Sequence, residues 1–255
     1  WGASASSGPS GNPRLASWGA DGGEIVVSAV DLEIRSVVLE GKTYGRADLP
    51  GSVWVGEPGS PAVPVLGTLL GVPYGVEVSV EVAEADYEEI AGVELMPVPE
   101  VRFIGRGTFQ LARERYQTDP GTYGQDRFFP AEQAVVTRTG ILRDQRVAAL
   151  SLRPVQFNPV RKILRIAREL RVRVRLVGRG GGRPLVAPPV KGREGVLEPF
   201  YRRALLNSEG ARGWRGRSIG TSPFLRKLQP GWYDPTATYT KLRIREDGVY
   251  RLDGD

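Results

Sequence analysis

The sequence has no cysteine and no histidine. That double absence removes a large share of enzyme chemistry. No Cys–His or Ser–His nucleophilic pair can exist, and no zinc site built on thiolate or imidazole. No disulfide can form, so cysteine usage carries no information about redox compartment. Carboxylate pairs and lysine-centred sites stay open, but no spacing marks one. Lysine is itself scarce, confined to positions 42, 162, 191, 227 and 241, so arginine carries most of the net charge of +6. Long apolar runs are missing too: none approaches the ~20 residues of a membrane span.

What is present suits short strands and turns. Glycine (33) and proline (20) are abundant for 255 residues, while 40% hydrophobic and 25% charged residues argue against a disordered chain. Residues 1–23 are small, polar and glycine-rich and read as a flexible arm, with Trp1 and Trp18 as its exceptions. The start at Trp1 reads as a processed terminus with any signal peptide removed. The stop at Asp255, just past a strand-like pattern, reads as a parent protein that continues.

Hydrophobic alternation gives the strands. Residues 24–40 hold two runs; in the second, Leu32, Ile34 and Ser36 alternate with Glu33, Arg35 and Val37. Residues 56–75 carry four prolines and predict an edge or extended segment. Val76, Val78, Val80 and Val82 face one way and Glu77, Ser79 and Glu81 the other, a strand with one wet face. Further strands are predicted around Tyr87–Ile90 and Val101–Ile104, in a pair turning about Thr139-Gly140, and over 162–167 and 170–176. Residues 105–127 are polar and turn-rich, with Asp119-Pro120-Gly121 as a turn signal. They read as a functional or a disordered loop. One helix is predicted over 196–209, and a hairpin over 239–252 about Asp247-Gly248. The sum is an all-β, antiparallel, jelly-roll-like sandwich with one short helix and a C-terminal hairpin. It divides into an arm (1–23), a β domain (24–177), a linker (178–195) and residues 196–255 opening a following region.

Few motifs suggest chemistry. The runs at Gly105-Arg106-Gly107 and Gly178–Gly182 lack the spacing of a phosphate loop and read as linkers. Glu84, Asp86, Glu88 and Glu89 lack the donor spacing of a calcium loop and read as a solvated strand edge. Arg171, Arg173 and Arg175 share one face. They form either a nucleic-acid patch or, the favoured reading, an edge strand guarded by charge. Arg113 and Arg115 sit on the 105–127 excursion, which is either an ordinary surface loop or an exposed basic loop that an Arg-specific protease pocket would accept. No catalytic residue, metal ligand or cofactor site is predicted.

Residues 57–82 combine a Gly/Pro-rich lead-in at Pro58-Gly59, a Pro64-Val65 step, Val72-Pro73-Tyr74-Gly75 and the alternating Val strand. Residues 123–176 carry Tyr123, Phe128-Phe129-Pro130, Gly140, Arg143, a corner at 153–159, and Leu164 with Val172-Arg173-Val174. Together these stretches resemble the N-terminal prodomain of gingipain-like cysteine peptidases, which are associated with type IX secretion. The segments 200–207 and 241–252 look like the helix and strand pair downstream of that prodomain. The resemblance implies a non-catalytic, secreted or cell-surface domain exported through the periplasm. Its implied partner is its own downstream peptidase domain, which it would help to fold and would inhibit by covering the cleft with a basic loop. Arg106, Arg113 and Arg115 are the loop candidates, and Arg212, Arg215 and Arg217 offer cleavable bonds for release. Two other classes compete: a structural subunit of a surface assembly self-associating by strand exchange, and a nucleic-acid binder using Arg171, Arg173 and Arg175.

Overall fold

The computed structural model describes residues 13–104, 111–178 and 197–215. The expected linker and the 239–252 hairpin therefore lie outside the described residues, apart from Gly178. The described chain is an antiparallel β-sandwich. Its spine is a pair of sixteen-residue strands, β7 (Val76–Ala91) and β13 (Ile163–Gly178), matched from Ile163 opposite Ala91 to Gly178 opposite Val76. β7 takes one edge of β13. Two strands share the other: β2 (Gly22–Val27) against Leu170–Arg175, and β12 (Val155–Asn158) against Ile163–Ile166. β1 (Arg14–Gly19) adds to β2. The second sheet runs β10 (Ala134–Leu142), β11 (Gln145–Leu152), β6 (Pro64–Gly71) and β5 (Val53–Trp54). Between the sheets, Ile25, Val27, Leu164, Leu170 and Val172 meet Leu66, Leu70, Leu150 and Leu152, all buried. Two hairpins stand apart from these sheets: β3 (Glu33–Leu39) with β4 (Lys42–Asp48), and β8 (Glu100–Ile104) with β9 (Leu111–Arg115).

Several local readings change. The last part of the expected arm is ordered strand: β1 and β2 fall within or across residues 14–27. The close approach of β2 to its neighbours explains two glycines: a Cβ on Gly22, which has φ +123°, would lie 2.0 Å from the Val174 carbonyl oxygen of β13, and one on Gly23 would lie 2.1 Å from the Ser17 carbonyl oxygen of β1. The proline-rich stretch is not merely an extended edge, because β6 lies between β11 and the two-residue β5. The strand signals near Val76 and Tyr87 belong to one strand. Val82 opposes Val172 and Glu84 opposes Arg171, so Ala83 is extra and shifts the pleat by one. That shift turns inward-leaning positions from Val76, Val78 and Val80 to Ala85 and Tyr87. The two predicted strands at 162–167 and 170–176 likewise fuse into β13.

The β10–β11 turn falls at Arg143-Asp144 rather than Thr139-Gly140, with Gly140 paired to Val147 inside the ladder. Arg143 takes the positive φ (58°) that glycine was expected to supply. In β3 the covered side is Val37 and Leu39, against Tyr44 and Met96, whereas Ile34 and Val38 are exposed. The hairpin reaches the main core only through Ala47 of β4, and the Val37 and Leu39 side covers a smaller cluster. Its turn at Glu40-Gly41, with φ 49° and 82°, has the paired positive angles of a tight two-residue hairpin.

The predicted helix breaks into α2 (Glu198–Ala204) and α3 (Ser208–Ala211), followed by a 3-10 turn at Arg212–Trp214. A fourth short helical element, α1 (Pro120–Tyr123), forms at the predicted Asp-Pro-Gly turn.

Candidate functional site

The β8–β9 hairpin is what becomes of the 105–127 excursion. Glu100 pairs with Arg115 and Arg102 with Arg113, so the four side chains share one face. Arg113 and Arg115 are exposed. Arg102 Nε donates to Glu100 at 2.9 Å, while among the described residues neither Arg113 nor Arg115 has an ion pair. Arg106 lies in the segment 105–110, outside the described residues. Within the stretch expected to be a functional or a disordered loop, 111–115 is thus a paired strand, because β8 supplies the ladder partner.

The outgoing side is tied down at once. Tyr116 N–H donates to Glu40 Oε1 at 3.2 Å. Its hydroxyl donates to Glu114, and burial followed by that bond pushes the phenol up to about 12. Asp119 caps α1, accepting from Gly121 N (3.2 Å), Thr122 N (2.9 Å) and the Thr122 hydroxyl (2.7 Å). Tyr123 then reaches the core: its hydroxyl donates to the Leu95 carbonyl at 2.7 Å and its ring meets Phe157 edge-on at 6.3 Å. Asp126 receives Arg161 through two nitrogens, at 2.7 and 3.2 Å, and Asn158 at 2.9 Å. The Thr122 hydroxyl bond first, then Gly121, holds the Asp119 carboxyl below its ordinary value of 3.8, and the Arg161 bond does the same for Asp126.

A lowered folded pKa means stabilisation that is complete above the unfolded value and lost as pH falls through the folded one. Amide exchange at Gly121 and Thr122, corrected for intrinsic rate, is therefore expected to accelerate below about pH 3.8 before the sandwich opens. Asp119→Ser, which caps without titrating, is expected to flatten that pH step. An unchanged step in the variant would show the acid response to lie elsewhere.

The Arg171, Arg173 and Arg175 stripe is not on an edge. It sits on the central strand, and each arginine meets carboxylates from its neighbours: Arg171 with Glu169 (2.6 Å) and Glu84 (3.5 Å), Arg173 with Glu81 (3.4 Å) and Glu24 (3.5 Å), and Arg175 with Glu81 (2.6 Å). Arg165 and Arg168 pair with Glu89 and Glu88 in the same way. The acidic residues once weighed for calcium and the basic ones weighed for nucleic acid are thus mostly one compensated ladder. Its surface pairs are individually weak, but they leave little uncompensated charge for a phosphate backbone.

The predicted cleavage residues also change character. Arg215 is only 11% exposed; it pairs with Glu198, donates to the Ser208 carbonyl at 3.1 Å and lies 4.3 Å over the Tyr201 ring. Arg212 is exposed but belongs to the 3-10 turn, and Arg217 lies outside the described residues. Residues 197–215 therefore form a clasp. The clasp seals β6: Leu206 N–H donates to the Leu69 carbonyl at 2.9 Å, and the Asn207 amide bonds Gly71 N and O, both at 2.8 Å. Trp214 packs edge-on against Trp18 at 6.4 Å. Sequence reasoning missed Asn207, whose only signal was a polar residue inside an apolar stripe. Native trypsinolysis is expected to spare the bonds after Arg212 and Arg215, and Glu198→Ala is expected to open them, as fragment masses would show.

The Propeptide_C25 family profile matches residues 15–211, from β1 through α3. The chain belongs to that propeptide family. It is 32% identical over 175 residues to gingipain R1 of Porphyromonas gingivalis, covering 66% of this chain and 16% of that protein. To gingipain R2 of the same species it is 31% identical, covering 62% of this chain and 21% of that one. To Lys-gingipain HG66 it is 27% identical, over 58% of this chain and 9% of that one. The chain thus spans no more than about a fifth of these relatives. Among solved structures, the complex of the RgpB pro- and mature domains of P. gingivalis superposes with a TM-score of 0.65 at 25% identity, covering 78% of this chain and 98% of that chain. A structure of gingipain K addressing zymogenic latency has a TM-score of 0.55 at 24% identity and covers 66% and 94%, which shows a shared fold. The propeptide match takes in both β1 and most of the clasp, so the strand read as arm and the helices read as a following region belong to the matched domain.

Proposed function

We propose that this chain is the non-catalytic prodomain of a gingipain-type cysteine peptidase. It keeps its own peptidase domain latent by laying the β8–β9 hairpin across the active-site cleft, and it assists that domain's folding. The observation that carries this is the hairpin itself: a separate, basic-faced pair of strands whose outgoing end is tied to the sandwich through Asp119 and Tyr123. Membership in the propeptide family supports the reading, as does the solved complex of pro- and mature domains in a relative. A hairpin already ordered before contact loses less freedom on docking. Arg113 and Arg115 lie on a strand whose backbone is engaged by β8, so they meet the partner as a side-chain face. Secretion to the cell surface through the periplasm follows from the same reading.

The test is titration of the purified chain against the peptidase domain of its precursor, following hydrolysis of an Arg-containing peptide. Stoichiometric loss of hydrolysis is expected. Full activity with micromolar chain present would overturn the proposal, and ordered polymers of the chain alone would favour a surface-assembly role.

A further inference from the structure

An isolated two-stranded hairpin is marginal in water. β8–β9 shares no ladder with either sheet of the sandwich, so its direction has to be set where it leaves and rejoins the domain. Both junctions converge on one residue. Gly59 N–H donates to the Val98 carbonyl at 2.9 Å, just before β8, and the Gly59 carbonyl accepts from Asp119 N–H at 2.9 Å, just after β9. Val98 N–H completes the incoming contact by donating to the Ser60 carbonyl at 2.7 Å. The approach needs glycine: Gly59 has φ +89°, and a Cβ there would sit 3.0 Å from both Asp119 N and the Gln117 carbonyl oxygen. Asp119 faces the other way as well, since its carboxylate starts α1 and α1 carries Tyr123 into the core.

We infer that Gly59 and Asp119 are positioning residues of the β8–β9 hairpin, fixing its angle so that its arginine face meets the peptidase already aligned. The inference rests on the inhibitory reading above and adds to it a pair of residues that touch neither arginine. Gly59 acts through its backbone and Asp119 through both its backbone N–H and its capping carboxylate. Gly59 closes the two junctions on each other, and Asp119 links that closure to the core. Thr122, Gly121 and Val98 are the groups through which they do so.

The experiment compares the full chain with Asp119→Ala, Asp119→Ser and Gly59→Ala. Two readouts are taken: amide exchange over residues 113–119 in the free chain, and the inhibition constant against the peptidase domain. Asp119→Ala and Gly59→Ala are expected to speed exchange in that segment and to raise the inhibition constant about tenfold, with the thermal midpoint of the sandwich little changed. Asp119→Ser, which restores the cap, is expected to recover both. Should Gly59→Ala fail to fold, the exposed Asp119 position carries the test. Variants that loosen the segment yet inhibit like the wild type would overturn the positioning role, and so would variants with unchanged exchange. In both cases a wild type that inhibits leaves the functional reading standing. A wild type that does not inhibit would sink that reading and this one with it.

Discussion

Tyr201→Ala is expected to lower the unfolding free energy by about 3–5 kcal/mol, in the range of other buried aromatic truncations. Tyr201 is 2% exposed in the clasp, far along the chain from the sheets it serves. Its hydroxyl donates to the Leu142 carbonyl at 3.3 Å and to the Asp144 carboxylate, and its ring lies under Arg215. The truncation leaves a cavity, removes the cation–π partner of a largely buried arginine and loosens the contact with the β10–β11 turn. The expected result is a single, earlier urea transition seen equally by tryptophan fluorescence and by far-UV circular dichroism. If residues 197–215 belonged to a separate following region, the β transition would stay where it is and only a local signal would move. Tyr201→Phe, which keeps the ring, is expected to lose a smaller part of that stability.

The double reversal Arg113→Glu with Arg115→Glu is expected to weaken inhibition by about 10- to 100-fold, or roughly 1.4–2.7 kcal/mol of binding. Both side chains are exposed and, among the described residues, outside every ion pair, so the melting temperature is expected to stay put. The Glu100–Arg102 pair on the same face should survive, which keeps the hairpin register as an internal control. Wild-type inhibition is also expected to weaken with added salt, and the reversed variant to lose much of that dependence. Equal inhibition by both proteins would remove this face from the interface while leaving family membership untouched.

The two results probe different depths of what a sequence discloses. The alternation announced a strand with one wet face, which holds from Val76 to Val80 while Val82 is exposed at the bulge, and the Asp119-Pro120-Gly121 turn announced a change of direction where α1 begins. Both are local properties, read from neighbours in the chain. The inhibitory candidates were legible as exposed arginines in a polar stretch, but their ladder with β8 was not. Val101–Ile104 read as a strand, while Leu111–Arg115 shows no clean alternation and becomes a strand only by pairing. Nor was the clasp legible, since a short amphipathic helix says that one face is covered without saying by what.

By itself the sequence determined the absence of thiol and imidazole chemistry, the all-β antiparallel character and the family resemblance. These depend on residue identity and on a two-residue period. Tertiary structure decided that β13 is central, that Ala83 shifts the pleat, and that Asn207 closes on Gly71 across 136 positions. It decided too that Arg173 meets Glu81 across 92. The reason is physical: side-chain alternation is fixed by the backbone of each strand alone. Which strand lies beside which, and which charge finds a partner, depends on contacts between residues that only folding brings together.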